Sequence, residues 1–257
     1  MNAYVVDAIL HLEKVEQPAV TAAYLYKPLQ RLTRAGRLCM LRTELGELEM
    51  FGILAVWNDR SDKVAADYER WYMTEHIPER LGVPGFRTAL RYEAIDADRQ
   101  YFTFYELDSP AVLASEVYLE RLANPTEQTR TIMPDFLGMI RSVFVEASRD
   151  GRGVGGAAVV IRYGDNISGV IAPPVAGLVD PSEITGIRIW NAAPGNAPTD
   201  TAESRTRPGR DEVAGGAVVI ETARAEAAQQ LVAAFRSDTV LADASVGCYR
   251  LLYAAAN

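Results

Sequence analysis

The sequence predicts an α+β fold made of two tandem ferredoxin-like βαββαβ units packed sheet to sheet, and three observations carry that prediction. Strand-like and helix-like segments alternate in the order β-α-β-β-α-(α)-β from Phe51 to Val145. A weaker copy of that order follows at an offset of about a hundred residues: the run Gly156 to Tyr163 parallels the strand at Phe51, Gly186-Ile-Arg188 parallels Gly85-Phe-Arg87, and Gly247-Cys-Tyr-Arg250 parallels Gly138-Met-Ile-Arg141. One such unit leaves a sheet face uncovered, so a second copy in the chain can bury both faces and enclose a cavity between sheet and helix.

Phe51 to Trp57 is a short apolar run with β-branched and aromatic residues, stopped by Asn58-Asp59, and reads as the first strand. Ser61 or Asp62 caps the segment after it, where Val64, Ala65, Tyr68, Trp71 and Tyr72 recur at helical spacing until Ile77-Pro78. Val83-Pro84-Gly85 makes a turn, and Phe86 to Ala94 and Tyr101 to Leu107 form a hairpin around Asp96-Ala-Asp98. Asp108-Ser109-Pro110 opens a helix whose buried stripe is Val112, Ser115, Leu119 and Leu122. A short helix from Pro125 toward Ile132 and a strand from Met139 to Val145 complete the first unit.

In the second half, Thr222 to Phe235 takes the place of the Ser109 helix, with Ala227, Leu231 and Phe235 on one face. Asn191 to Val213, rich in Pro, Gly, Thr and Arg, reads as an extended hairpin loop, and the glycines from Gly151 to Gly156 read as a linker. The division is therefore residues 1–49 as an N-terminal extension, 50–150 as the first unit and 151–257 as a degenerate second unit. The extension lacks a convincing core face, and Met50, just before the first strand, is a candidate natural start.

Composition narrows the function. Of 257 residues, 49% are hydrophobic and 23% charged, and the formal net charge is -8, which disfavours a nucleic-acid partner. Cys39 and Cys248 form no C-x-x-C pattern, so neither a disulfide framework nor a thiolate zinc site is expected. The first apolar stretch is broken by Asp7 and His11, and no run reaches the roughly 20 residues of a membrane span, so the expectation is a cytoplasmic protein with no membrane partner.

His76 stands at the end of the best helix, with Tyr72 four residues before it, Glu75 beside it and Glu79 three residues after. Pro78 can turn the backbone before Glu79 joins that face. Imidazole can act as general base or acid, a neighbouring carboxylate can fix its tautomer, and a phenol can stabilise a developing enolate. A histidine near a helix end also serves as a solvated or capping residue, and Glu75, Glu79 and Arg80 also read as surface charges; the local sequence leaves both readings open. Trp57, Tyr68 and Phe86 are candidate substrate-binding walls. Metal binding is not expected, because Glu75-His76-x-x-Glu79 lacks the second histidine of H-E-x-x-H.

At Trp71-Tyr-Met-Thr-Glu-His76-Ile-Pro-Glu-Arg-Leu-Gly-Val-Pro84-Gly85-Phe86, followed by Arg91-Tyr92, the chain resembles the dimeric α/β-barrel superfamily, in particular its EthD-like branch. The resemblance covers Phe51 to Glu146 well and the second half in outline. It implies His76 as the helix histidine directed into a cavity. The second half departs from the pattern, since Ser168 to Gly186 has no histidine and no counterpart of Glu75 to Arg80, so two halves paired within one chain would keep one site per chain. The superfamily includes cofactor-free isomerases, cyclases, small monooxygenases and haem-binding branches. The expectation is a cofactor-independent lyase or isomerase acting on a small lactone, enolisable keto acid or aromatic polyketide-like compound. His76 would move the proton, Glu75 or Glu79 would orient it, and Tyr72 would polarise a carbonyl. The alternatives are a non-catalytic binding or assembly module and a haem protein with His76 as axial ligand; a homodimer is compatible with any of them.

Overall fold

The computed structural model describes residues 51–164, 170, 172–194 and 200–257. The N-terminal extension with its His11, and the candidate start at Met50, lie outside the described residues. Eight strands form one closed barrel: β1 (Gly52–Arg60), β2 (Phe86–Asp96), β3 (Tyr101–Leu107), β4 (Phe136–Asp150), β5 (Ala157–Tyr163), β6 (Ile184–Ala192), β7 (Gly216–Thr222) and β8 (Ser245–Ala256). Around the barrel the order is β1-β3-β2-β8-β5-β7-β6-β4, and every neighbouring pair is antiparallel.

The expected face-to-face packing of two sheets is corrected by this closure. The two halves meet edge to edge through β2–β8 and β4–β6, so their four outer strands hydrogen-bond instead of standing as edges. Gly216–Thr222 was not among the expected strands, yet it is the buried partner of both β5 and β6. Its run Ala-Val-Val-Ile is buried on both faces and leads almost directly into an alanine-rich helix, which hides any strand alternation.

Strand alternation sorts side chains into two populations. Ile53, Ala55 and Trp57 of β1 point into the barrel, where Trp57 stacks on Phe102 at 5.0 Å and Trp190 packs edge-on against Phe104 at 5.0 Å. An eight-stranded barrel is just wide enough for its own side chains, and aromatic rings fill this one. Leu54 points the other way, into a separate cluster under the helices. At one end of the interior the buried Arg188 guanidinium pairs with Glu106 and, at 3.2 Å, with Glu221, which also accepts from the Tyr92 hydroxyl at 3.0 Å.

The helices follow local signals. Ser61 accepts from the Lys63 amide ahead of α1 (Ala65–Trp71), which continues through a π-helical turn (Tyr72–His76) into α2 (Ile77–Leu81). Pro78 therefore does not end the helix. A proline inside a regular helix clashes with the carbonyl four residues back; here the preceding turn is wider, and the Ile77 amide donates to the Tyr72 carbonyl five residues earlier. Gly85, at φ +93°, then turns the chain into β2.

Ser115 caps α3 (Glu116–Ala123) and Thr126 caps α4 (Glu127–Ile132). The second half has only α5 (Ala225–Arg236) among its described helices longer than one turn, and α5 packs Ala228, Leu231 and Phe235 on the outside of β5, β7 and β8. The βαββαβ order is thus complete in the first half and lacks its first helix in the second. No helix among the described residues is long and apolar enough to cross a membrane.

Removing the central cation of the barrel-end cluster leaves the buried Glu221 carboxylate without its ion-pair partner. Arg188→Ala is expected to lower stability by about 3–5 kcal/mol in urea unfolding at pH 7. Arg250→Ala, which removes an exposed partner of Glu93, is expected to change it by less than about 1 kcal/mol.

Candidate functional site

The helix-facing surface of the first half holds a cleft of about 30 Å³, floored by β1 and β3 and walled by the π turn, α2, α3 and β4. That is room for about two waters or one small planar group. Tyr72 and His76 line it together, as their helical spacing predicts, with ring centroids 5.1 Å apart. Trp71 packs on the imidazole at 4.4 Å and on the Tyr72 ring at 5.1 Å, so the three rings form one cluster. His76 is 7% exposed and its Nδ1 has no hydrogen-bond partner.

Burial, and after it the nearby Arg80, Arg207 and Arg91 guanidiniums, push the His76 pKa well below its ordinary 6.5, so the imidazole is neutral at pH 7. Burial raises Tyr72 and holds Tyr105 well above the usual phenol range, keeping both hydroxyls as protonated donors. The cleft thus combines a neutral base, phenolic donors and fixed positive charge.

The other expected site residues are placed differently. Glu75 accepts hydrogen bonds from Thr126, the cap of α4, and from Thr129 at 3.4 Å, and so ties the π turn to that helix. Glu79 is half-buried, with Oε2 3.9 Å from Arg80 Nη1, and burial raises its pKa. Among the described residues neither carboxylate hydrogen-bonds His76, so the expected carboxylate orienting the imidazole is absent from this arrangement. Tyr68 sits behind Tyr72 at 5.0 Å and accepts from Asn58 at 2.9 Å. Phe86 packs behind two cleft tyrosines, 5.6 Å from Tyr105 and 5.6 Å from Tyr118. Trp57 is on the opposite face of β1, inside the barrel, and cannot wall this cleft.

Sequence reasoning missed the arginines. Arg80, which reads as a surface charge, is 2% exposed, pairs with Glu203 and lies over the Tyr118 ring at 5.7 Å. Arg141 of β4 donates to the Tyr118 hydroxyl at 3.1 Å. Glu203 and Arg207 come from the loop between β6 and β7, which reaches across to the first half. That segment is held by backbone bonds from Glu203 N to Leu122 O at 3.1 Å and from Glu212 N to Met139 O at 2.9 Å. A polar, glycine- and proline-rich loop offered no periodic signal that two of its charges would be buried.

No protein-family model and no curated protein matches the chain. Solved structures do. One of a protein described as anthrone oxidase-like aligns over 82% of this chain and 94% of its own at a TM-score of 0.54 and 9% identity. The fold is that of the dimeric α/β-barrel proteins. A proposed monooxygenase from Lactobacillus acidophilus NCFM (TM-score 0.44, 7% identity, covering 81% of this chain and 97% of its own) is also similar, as is a chlorite dismutase variant from Candidatus Nitrospira defluvii (0.41, 10%, 80% and 93%). At these identities the likeness is one of fold.

Haem does not fit the residues of this cleft as they stand. The cleft is an order of magnitude smaller than the roughly 300 Å³ at which cofactor pockets begin, and the imidazole is packed against the adjoining Trp71 and Tyr72 rings. Among the described residues no three His, Cys, Asp or Glu gather into a metal site.

The His76 environment sets a pH dependence. With its folded pKa below the unfolded 6.5, His76 is neutral when folded and protonated when unfolded in the window beneath 6.5. The stability this carries is full above 6.5 and is lost as pH falls toward the folded value, at up to about 1.4 kcal/mol per pH unit. Wild-type stability, read by denaturant unfolding, is expected to fall between pH 6.5 and 5, and His76→Gln to flatten that slope.

Proposed function

We propose that this chain is a cofactor-independent lyase or isomerase of the EthD-like branch, moving a carbon-bound proton of a small enolisable substrate with His76 as the base. The observation that carries the reading is the buried, neutral imidazole with an unpartnered Nδ1, lining one cleft with phenols and guanidiniums. His76 takes the proton from the carbon beside a carbonyl, the C–H electron pair forms the C=C bond, and the carbonyl π pair moves to oxygen. Tyr72 or Tyr105 donates to that oxygen, and the Arg80 and Arg207 charges stabilise the enolate. Return of the proton to a different carbon yields the isomer; loss of a leaving group instead yields the eliminated product.

The depressed pKa suits this role. Burial and, after it, the nearby cations disfavour imidazolium, and the enolate offsets the cations as it forms, so substrate assists the proton transfer. An anthrone, the compound that names one structural neighbour, is itself an enolisable ketone, though a cleft of this size would take only its oxygen-bearing end. The second half serves as scaffold in this reading: a βαββαβ unit without its first helix that closes the barrel and supplies the Glu203–Arg207 strap. The partner is a small molecule, and barrel closure within one chain leaves neither sheet in need of a second copy for cover.

Deuterium wash-in tests the reading. A panel of small enolisable compounds, from neutral lactones to 2-oxo acids, is incubated with the protein in D2O, and exchange of the proton beside the carbonyl, followed by NMR, is expected in at least one class. His76→Gln is expected to slow exchange by about 100-fold or more, and the acid limb of the wild-type rate is expected below pH 6.5. Equal exchange by the variant, or none by folded wild type, overturns the proposal; thermal stabilisation by a compound that never exchanges points to the non-catalytic binding module.

A further inference from the structure

The cleft holds more buried charged donors than its own acceptors engage. Arg80 and Arg207 are 2% and 9% exposed. Each uses one edge on a carboxylate, Arg80 on Glu203 and Arg207 on Asp211, the latter at 2.6 Å. Arg80 Nη1 and Arg207 Nε are nevertheless buried without a hydrogen-bond partner, the nearest carboxylate oxygen recorded for Nη1 being that of Glu79 at 3.9 Å, beyond hydrogen-bond reach. Arg141, the third guanidinium of the lining, bonds only the Tyr118 hydroxyl and makes no ion pair among the described residues. Three guanidiniums are thus set against Glu203 in the lining and Asp211 beside it, which leaves one positive charge without a hydrogen-bonded carboxylate among the described residues.

Burying a charged N–H without a partner is costly, and two in one cleft are best matched by a small acceptor carrying negative charge. Water can accept from both but leaves the excess positive charge in place. A carboxylate answers donors and charge together, is planar like the guanidinium edge, and is of the size the cleft admits.

We propose that the cleft binds its substrate through a carboxylate seated on Arg80 Nη1 and Arg207 Nε, which makes the substrates small carboxylic acids instead of neutral ketones, neutral lactones or phenols. Naming the ligand a substrate rests on the proton-transfer reading; the carboxylate site itself rests on the unpartnered donors. The rest of the molecule extends toward the half-exposed side of the cleft at Met139 and Arg141. The bound charge also partly cancels the field of Arg80 and Arg207 on His76, so an acid of this class strengthens the base that acts on it.

The test is calorimetric titration of the full chain at pH 7 with formate, acetate and 2-oxobutanoate against formamide, acetamide and 2-oxobutanamide. NMR titration of His76 accompanies it, assigned by the loss of its signal in His76→Gln. The acids are expected to bind at least tenfold tighter than their amides and to raise the His76 pKa. Arg207→Gln is expected to lose at least tenfold in acid affinity. Arg207→Lys, which keeps a cation for Asp211 and lacks the Nε donor, is expected to lose several-fold while unfolding at the wild-type temperature, so the result does not depend on the glutamine variant folding. Amides binding as well as acids, undiminished binding by Arg207→Lys, or an unmoved His76 overturns the site. Carboxylate binding without deuterium exchange keeps this inference and removes the proton-transfer reading; exchange of neutral ketones with no preference for acids does the reverse.

Discussion

Closure of the barrel is the constraint on which the rest of the molecule depends. The β2–β8 and β4–β6 ladders satisfy the outer strands of both halves, so no backbone edge is left to cover. Closure also fixes an inside and an outside for every strand residue. Eight strands leave an interior that Trp57, Phe102, Phe104 and Trp190 fill, with Arg188 and its carboxylates at one end. Side chains occupy that interior, and the cleft lies on the outer surface, between sheet and helices.

That outer surface differs between the halves. In the second, α5 packs on an aliphatic face of β5, β7 and β8. In the first, the helix over the sheet contains a π turn, and two consequences follow from it. The turn lets Pro78 be tolerated within the helix, and it carries Tyr72 and His76, whose four-residue spacing puts both on the cleft. Single π turns inside helices are frequent at functional sites because they shift one set of side chains without ending the element. Glu75, on the same turn, is engaged by the α4 cap, which braces the turn against its neighbour.

The parts legible in sequence were those governed by local rules. Tyr101–Leu107 stands where alternation and flanking turns place it, and Tyr72 with His76 follows helical spacing. The errors have specific causes. Both faces of β1 are buried, so its apolar run carries no alternation to separate Trp57, inside, from Leu54, under the helices. Arg80 looks like any charged residue on a helix until its partner, Glu203, is brought from 123 positions away.

The sequence by itself determined the strand and helix order of the first half, the repeat of key tripeptides in the second, and the single histidine helix, because each rests on periodicity, capping or turn chemistry within a few residues. Tertiary structure decided that the two sheets join into one barrel, which face of β1 meets the helices, and that the β6–β7 loop delivers Glu203 and Arg207 beside His76. Those outcomes depend on pairing between strands and charges distant in the chain, and no local pattern encodes the partner of a buried guanidinium.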